Sequence, residues 1–375
     1  MLTAASSPNS CRHANDDKKE VMKQLLQAKR HALMLLLQFL SIPAAIAAPM
    51  TVTVAPRSQI EILIEAPTRI YLEGDIDPGA SKRLRAALNE VKSKTVAVEM
   101  NSPGGNLLVG MELGRIIRQS GASTRIASRS SNDGGQSVVC MSACALAFLG
   151  GVYRYSVKGS AYGVHRISRS SGPREGDLAM GQLLSATVLS YIREMGADPD
   201  LFALMSKTDA SSIYILSRNE MEQLNVINNG RLPPTWTLEA VEGSTYLKGA
   251  QDTWVGSGKA MLSCPSRKLV FFSFYTAGEK TQSIVSGGWV HSLFVDDEIF
   301  PIAGPIQIEN VSGDVNAMFV LTPEQFRKVQ SAQRSIGHAM QLTYEAPTFV
   351  GYTVDIDKKS KQKFRTFLGN CLDGS

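Results

Sequence analysis

Charge is scarce in this chain. Asp, Glu, Lys and Arg make up 19% of the 375 residues, and beyond residue 47 the 33 basic side chains are nearly balanced by 31 acidic ones. So small an excess gives no electrostatic case for nucleic acid or an anionic membrane as partner. Long hydrophobic runs are missing as well. The apolar stretch Ala32 to Leu40 is interrupted by Gln38, is followed by Pro43, and falls short of the ~20 residues that span a bilayer. No repeat or low-complexity tract is present. The one Pro-Gly-Gly loop, Asn101 to Gly105, has no Lys and no P-loop spacing, which removes nucleotide binding. Histidine is rare: only His165, His291 and His338 follow residue 47. None lies at ligand spacing from a cysteine, which argues against a Cys/His metal site, and no cofactor is expected.

What is present is an ordinary globular composition, 43% hydrophobic, on a chain long enough for two domains. The N-terminus has the layout of an export signal. Lys29 and Arg30 precede the apolar core, and Ala45-Ile46-Ala47 fits the small-residue cleavage pattern. The expectation is a signal peptide with an N-terminal extension over 1–47, cleaved near Ala47, and a periplasmic or secreted protein. The polar extension is long for a leader, and Met22 is an alternative start; an uncleaved anchor is the competing reading. Four cysteines remain after the leader, and an even number in an oxidising compartment suggests disulfides. Cys140 and Cys144 could pair with each other, and Cys264 could pair with Cys371.

Periodicity predicts a strand pair over 50–67, a strand over 69–75, a helix over 82–91, a strand over 95–100 and a helix over 107–119. A strand at 124–128, an exposed loop over 128–137 and an Ala-rich helix from Ser142 follow. Then come a strand ending at His165, a polar loop over 166–177, and helices over 178–195, 200–206 and 217–224. Ser217 and Glu220 give the last of these a capping box. Recurring strand–helix–strand order means an α/β unit with largely parallel pairing. After residue 230 a linker, 231–235, leads into short β-like runs with Gly and Ser turns and one helix at 323–332. The boundaries expected are therefore 48–230 and 231–375, the second a smaller, mainly β domain.

Three segments carry chemistry. Ser142 opens a helix, where unpaired amides and the helix dipole favour a developing oxyanion. It has small neighbours and follows a polar loop, although for a lone serine there N-capping is the better reading. His165 can supply the neutral imidazole that activates a serine. Gly104 and Gly105 allow the loop after a buried strand to turn and to approach a carbonyl closely.

Together, Asn101-Ser-Pro-Gly-Gly105, Met141-Ser-Ala-Cys-Ala145 and Gly163-Val-His165 resemble the successive active-site segments of the Clp protease proteolytic subunit, particularly its exported relatives. The resemblance covers about residues 68–228. It implies an α/β fold, the ClpP/crotonase-like spiral of ββα units, with Ser142 as nucleophile, His165 as base, and the amides of Gly105 and Ala143 as oxyanion hole. It also implies a serine peptidase-type hydrolase acting on peptide or unfolded polypeptide, and a possible homo-oligomer. With no ATP pool outside the cytoplasm, no ATPase partner is expected. One position departs from the pattern. The family's acid would fall at Ser212 or Ile213, so the triad acid is either Asp209, the nearest carboxylate, or absent, leaving a dyad. The alternative function is a non-catalytic binding or scaffold protein on the same fold. An acyl-CoA crotonase is disfavoured by export and the Ser/His pair, and a Ser–Lys peptidase would have to rely on Lys158.

Overall fold

In a computed structural model, residues 48–129, 138–168, 175–241, 243–343 and 349–373 are described. The expected leader over 1–47, most of the loop over 128–137 and half of that over 166–177 lie outside the described residues.

The first half alternates strands and helices in order: β1 Thr51–Val54, α1 Gln59–Leu63, β2 Thr68–Glu73, α2 Ala80–Glu90, β3 Val96–Asn101, α3 Leu107–Gln119 and β4 Ser123–Ile126. It continues with β5 Val139–Met141, α4 Ala143–Phe148, β6 Arg154–Ser156, β7 Ala161–Val164, α5 Asp177–Glu194, α6 Asp200–Lys207, β8 Tyr214–Ile215 and α7 Arg218–Gln223. Five strands form one sheet in the order β1-β2-β3-β4-β6, antiparallel at β1–β2 and parallel thereafter. The second sheet, β5-β7-β8, is parallel at β5–β7 and antiparallel at β7–β8. The expected strand over residues 60–65 is instead α1. Its apolar alternation is overridden by a capping box, in which Ser58 Oγ accepts the Glu61 amide and Glu61 returns to the Ser58 amide. Its apolar side chains remain exposed, Leu63 at 83%.

The second half is built from β9 Thr235–Val241, β10 Ser244–Thr253, β11 Gly256–Ser263, β12 Val270–Thr276, α8 Thr281–Val285, β13 Val290–Val295 and β14 Glu298–Ile302. After these come β15 Gln307–Val311, β16 Asp314–Val320, α9 Pro323–Ser331, β17 Ser335–Gln341, β18 Val350–Asp355 and α10 Lys361–Asp373. A six-stranded antiparallel sheet, β15-β16-β12-β11-β10-β9, faces a four-stranded one, β14-β13-β17-β18. Inward residues such as Leu262, Phe271, Phe319 and Val354 fill the space between them, as alternation on half-buried strands requires. The Cys264–Cys371 disulfide ties the turn after β11 to α10.

Two apolar cores thus lie within one compact unit, Pro49–Ser375: one spans residues between Met50 and Ile227, the other residues between Trp236 and Cys371. The segment expected as a linker is anchored rather than loose. Arg231 pairs with Asp355 at 2.7 Å and donates to Gln251, and the Leu232 amide donates to Asp252 O. Among the described residues no helix is long and apolar enough to cross a membrane.

Candidate active site

Strand register brings the candidate residues together. β5 runs parallel to β7 with Met141 opposite Gly163, and the Ser142 amide donates to Gly163 O at 2.9 Å. Ser142 therefore leaves β5 at the end of the sheet where His165 leaves β7. His165 Nε2 lies 2.8 Å from Ser142 Oγ. The other ring nitrogen, Nδ1, lies 2.9 Å from the carbonyl oxygen of Arg166. A carbonyl can only accept, so Nδ1 carries the ring proton and Nε2 accepts from the serine hydroxyl.

Ser142 sits at φ 57°, ψ −121°, a region that a non-glycine residue occupies at a cost of about 1–3 kcal/mol. It makes no side-chain hydrogen bond to the helix it precedes. The hydroxyl is thus turned to the imidazole instead of capping α4. Three groups of contacts hold this corner. Cys140 and Cys144, both fully buried, are disulfide-bonded and close a five-residue ring around Ser142, with their Cα atoms 5.1 Å apart. The glycine loop is laced to β5: the Ser102 amide donates to Val139 O at 2.8 Å, Met141 N donates to Ser102 O at 3.1 Å, and Asn101 Oδ1 accepts the Val139 amide at 3.1 Å. Buried Ser102 Oγ also accepts the Gly104 amide at 3.1 Å.

That lacing presses the loop against the serine corner. A Cβ on Gly104 would lie 2.7 Å from both Met141 O and Ser142 Cβ, and φ is +114° there and +134° at Gly105, so only glycine fits. The Gly105 amide donates to no described residue. Ala143 is the first residue of α4, whose amide has no partner inside the helix. Both expected oxyanion donors are therefore unspent.

At the other end of α4 the buried carbonyls are answered. Tyr162 donates to Ala145 O at 2.9 Å, Tyr191 to Leu146 O at 2.8 Å and Thr124 to Phe148 O at 2.8 Å. Arg118 and Arg154 reach the carbonyls of Leu149 and Gly151, and Arg154 continues to Val226, Asn225 and Met195. Burial pulls the Arg154 guanidinium down to about 10, still charged at neutral pH. Two cations at its C-terminal end thus complement the dipole of α4 and fix the helix that carries the serine. These arginines and Ser102 escaped sequence reasoning, because a residue that answers carbonyls from several elements carries no local pattern.

Asp209 does not contact His165. Its carboxylate accepts from Arg166 at 2.5 Å and from the Ser211 amide and hydroxyl, and the Ser211 bonds lead the causes that hold it below the usual carboxylate range. The expectation of Asp209 as the acid beside the imidazole is corrected on this geometry: the position beside Nδ1 is taken by the Arg166 carbonyl. Ser212 and Ile213 offer no carboxylate either. A 530 Å³ groove begins at Arg166, directly after His165, and is lined by Ile167, Leu178, Phe202 and Met205 among others. All four cysteines after residue 47 are in disulfides.

No family model and no curated protein matches this chain. Among solved structures, a point mutant of the 1510-N membrane-bound stomatin-specific protease is similar over 42% of this chain and 75% of its own, at 16% identity and a TM-score of 0.34.

Proposed function

We propose that the chain is a serine peptidase-type hydrolase built on a ClpP/crotonase-like spiral over residues 48–230, with 231–375 as an appended, mainly β domain. The single observation that carries this reading is the 2.8 Å contact between Ser142 Oγ and His165 Nε2, made by a serine in a strained conformation that caps nothing. A capping or packing role would leave that strain without a purpose.

In the proposed reaction His165 Nε2 takes the hydroxyl proton as Ser142 Oγ attacks a substrate carbonyl. The second ring proton stays on Nδ1, donated to the Arg166 carbonyl, and keeps the imidazolium oriented. The amides of Gly105 and Ala143 stabilise the tetrahedral oxyanion. His165 then returns the proton to the leaving amine, and water, activated by the same imidazole, releases the acyl group from Ser142. This is a dyad supported by a backbone acceptor, not a triad. The substrate proposed is a peptide or unfolded polypeptide met outside the cytoplasm after cleavage near Ala47, without an ATPase partner, by a protein that can assemble as a homo-oligomer.

A fluorophosphonate probe tests the reading. Labelling should occur on the wild type and vanish in both Ser142→Ala and His165→Ala. Absence of labelling in folded wild-type protein would favour the non-catalytic scaffold and sink the hydrolase.

A further inference from the structure

We propose that the cleft between α10 and the β9–β10 hairpin is a binding site for acidic stretches of polypeptide, separate from Ser142. The cleft has a volume of 880 Å³ and is lined by Arg267, Lys359 and Lys363, with no Asp or Glu among its described lining residues. Neither Arg267 nor Lys359 makes an ion pair within the described residues, and Lys363 reaches only the Trp236 carbonyl, at 3.3 Å. Three cations gathered in one concavity, with no counter-charge among its described lining residues, repel one another and lower their energy by taking an anion.

Two further observations point the same way. Ser266 and Arg267 both have positive φ, 51° and 63°, a backbone state that side-chain-bearing residues avoid. Arg267 returns no internal ion pair for it, and the adjacent Cys264–Cys371 disulfide holds the turn against α10. In addition, the chain is most densely basic here. Lys358, Lys359, Lys361, Lys363 and Arg365 fall within eight residues, and no acid follows until Asp373.

The layout suits carboxylates spaced along a chain better than one compact anion. Lys363 stands in the first turn of α10 and Lys359 in the turn that leads into it, whereas Arg267 comes from the turn after β11. Between them Leu238, 59% exposed, and Phe367 offer apolar contact, and the amide side chains of Gln362 and Asn370 can pair with peptide groups.

The full chain would be titrated into fluorescein-labelled hexaglutamate and hexaglutamine and followed by fluorescence anisotropy. The expected result is binding of hexaglutamate alone, weakened by salt. A cleft triple variant, Arg267→Gln, Lys359→Gln and Lys363→Gln, should weaken it by roughly tenfold or more. A charge-matched control outside the cleft, Lys358→Gln, Lys361→Gln and Arg365→Gln, should cost under about threefold, and Ser142→Ala should change nothing. Equal binding of hexaglutamine, or equal losses in both triples, would overturn the proposal. So would displacement of the probe by inorganic phosphate at lower concentration than by unlabelled hexaglutamate, which would mark a compact oxyanion site. Preference for phosphatidylglycerol vesicles over the peptide would likewise reassign the surface to a membrane. Should the cleft triple fail to melt cooperatively, Arg267→Gln alone, on an exposed turn, decides the matter: unchanged hexaglutamate affinity counts against the site.

Discussion

At His165 the ring proton lies between Nδ1 and the Arg166 carbonyl, 2.9 Å away, and this fixes the tautomer without spending a carboxylate. A neutral acceptor stabilises an imidazolium less than a buried Asp would, so the proposed enzyme should be slower than a full triad. Asp209, exposed and paired to Arg166, is a surface ion pair. Asp209→Asn should therefore change kcat/KM by no more than about threefold, where loss of a true triad acid costs on the order of 10⁴; steady-state kinetics on a chromogenic ester separates the two. Ser142 and His165 could be found in sequence because each sits in a short motif with small neighbours. The partner of Nδ1 could not, because a backbone oxygen has no residue type, and its reach depends on how the chain turns after β7. Asp209 is the nearest carboxylate in sequence, and nearness in sequence says nothing about where a loop aims its side chain.

Among elements, α4 is the part most constrained. It is six residues long, too short to be stable alone, and it persists because Tyr162, Tyr191 and Thr124 answer its own carbonyls while Arg118 and Arg154 answer those of the turn that follows it. Arg154→Met should leave the Asn225 and Val226 carbonyls without donors, strip the Leu149, Gly151 and Met195 carbonyls of one of their two arginine donors, and destabilise the protein by roughly 3 kcal/mol or more, seen as a lower urea midpoint. The Cys140–Cys144 ring acts on position instead. A loop this short contributes only roughly 2 kcal/mol through chain entropy, against about 5 kcal/mol for the loop closed by Cys264 and Cys371. The Cys140→Ala, Cys144→Ala double variant should accordingly melt near wild type yet lose roughly tenfold to a hundredfold in kcat through displacement of Ser142. Equal activity would mean that the glycine loop alone sets the serine. Helix and strand positions in the first half were readable because apolar periodicity and caps agree there, as at α3 and α7. Where they disagree, as over residues 60–65, the local hydrogen bonds of Ser58 and Glu61 prevailed.

For the molecule as a whole, the second half holds a buried polar chain: Ser273 Oγ to His338 Nδ1 at 2.8 Å, and His338 Nε2 to His291 Nδ1 at 3.0 Å. Phe271 and Phe319 pack on it. Burial pushes His291 down to about 4 and His338 well below its ordinary value, the latter also opposed by its histidine neighbour. Both histidines are neutral when folded and gain protons on unfolding, so the unfolded state binds more protons and stability rises with pH. This contribution is fully present above the unfolded pKa of about 6.5 and falls away as pH drops towards 4. Chemical denaturation across that window should show a falling midpoint, and the slope should flatten in His291→Gln. Sequence alone could not foresee this relay. Short β-like runs after residue 230 are visible in the sequence, but the strand order that sets β12 against β17 depends on long-range pairing with no local signature.

The ring that encloses Ser142 also sets a timetable. Cys140 and Cys144 are fully buried once the fold closes, so the bond between them must form while the chain is still open to an oxidant. A newly made chain kept among thiols would carry the serine on a slack corner. Oxidation during folding would then be the step that arms it, and burial afterwards would make the arming permanent.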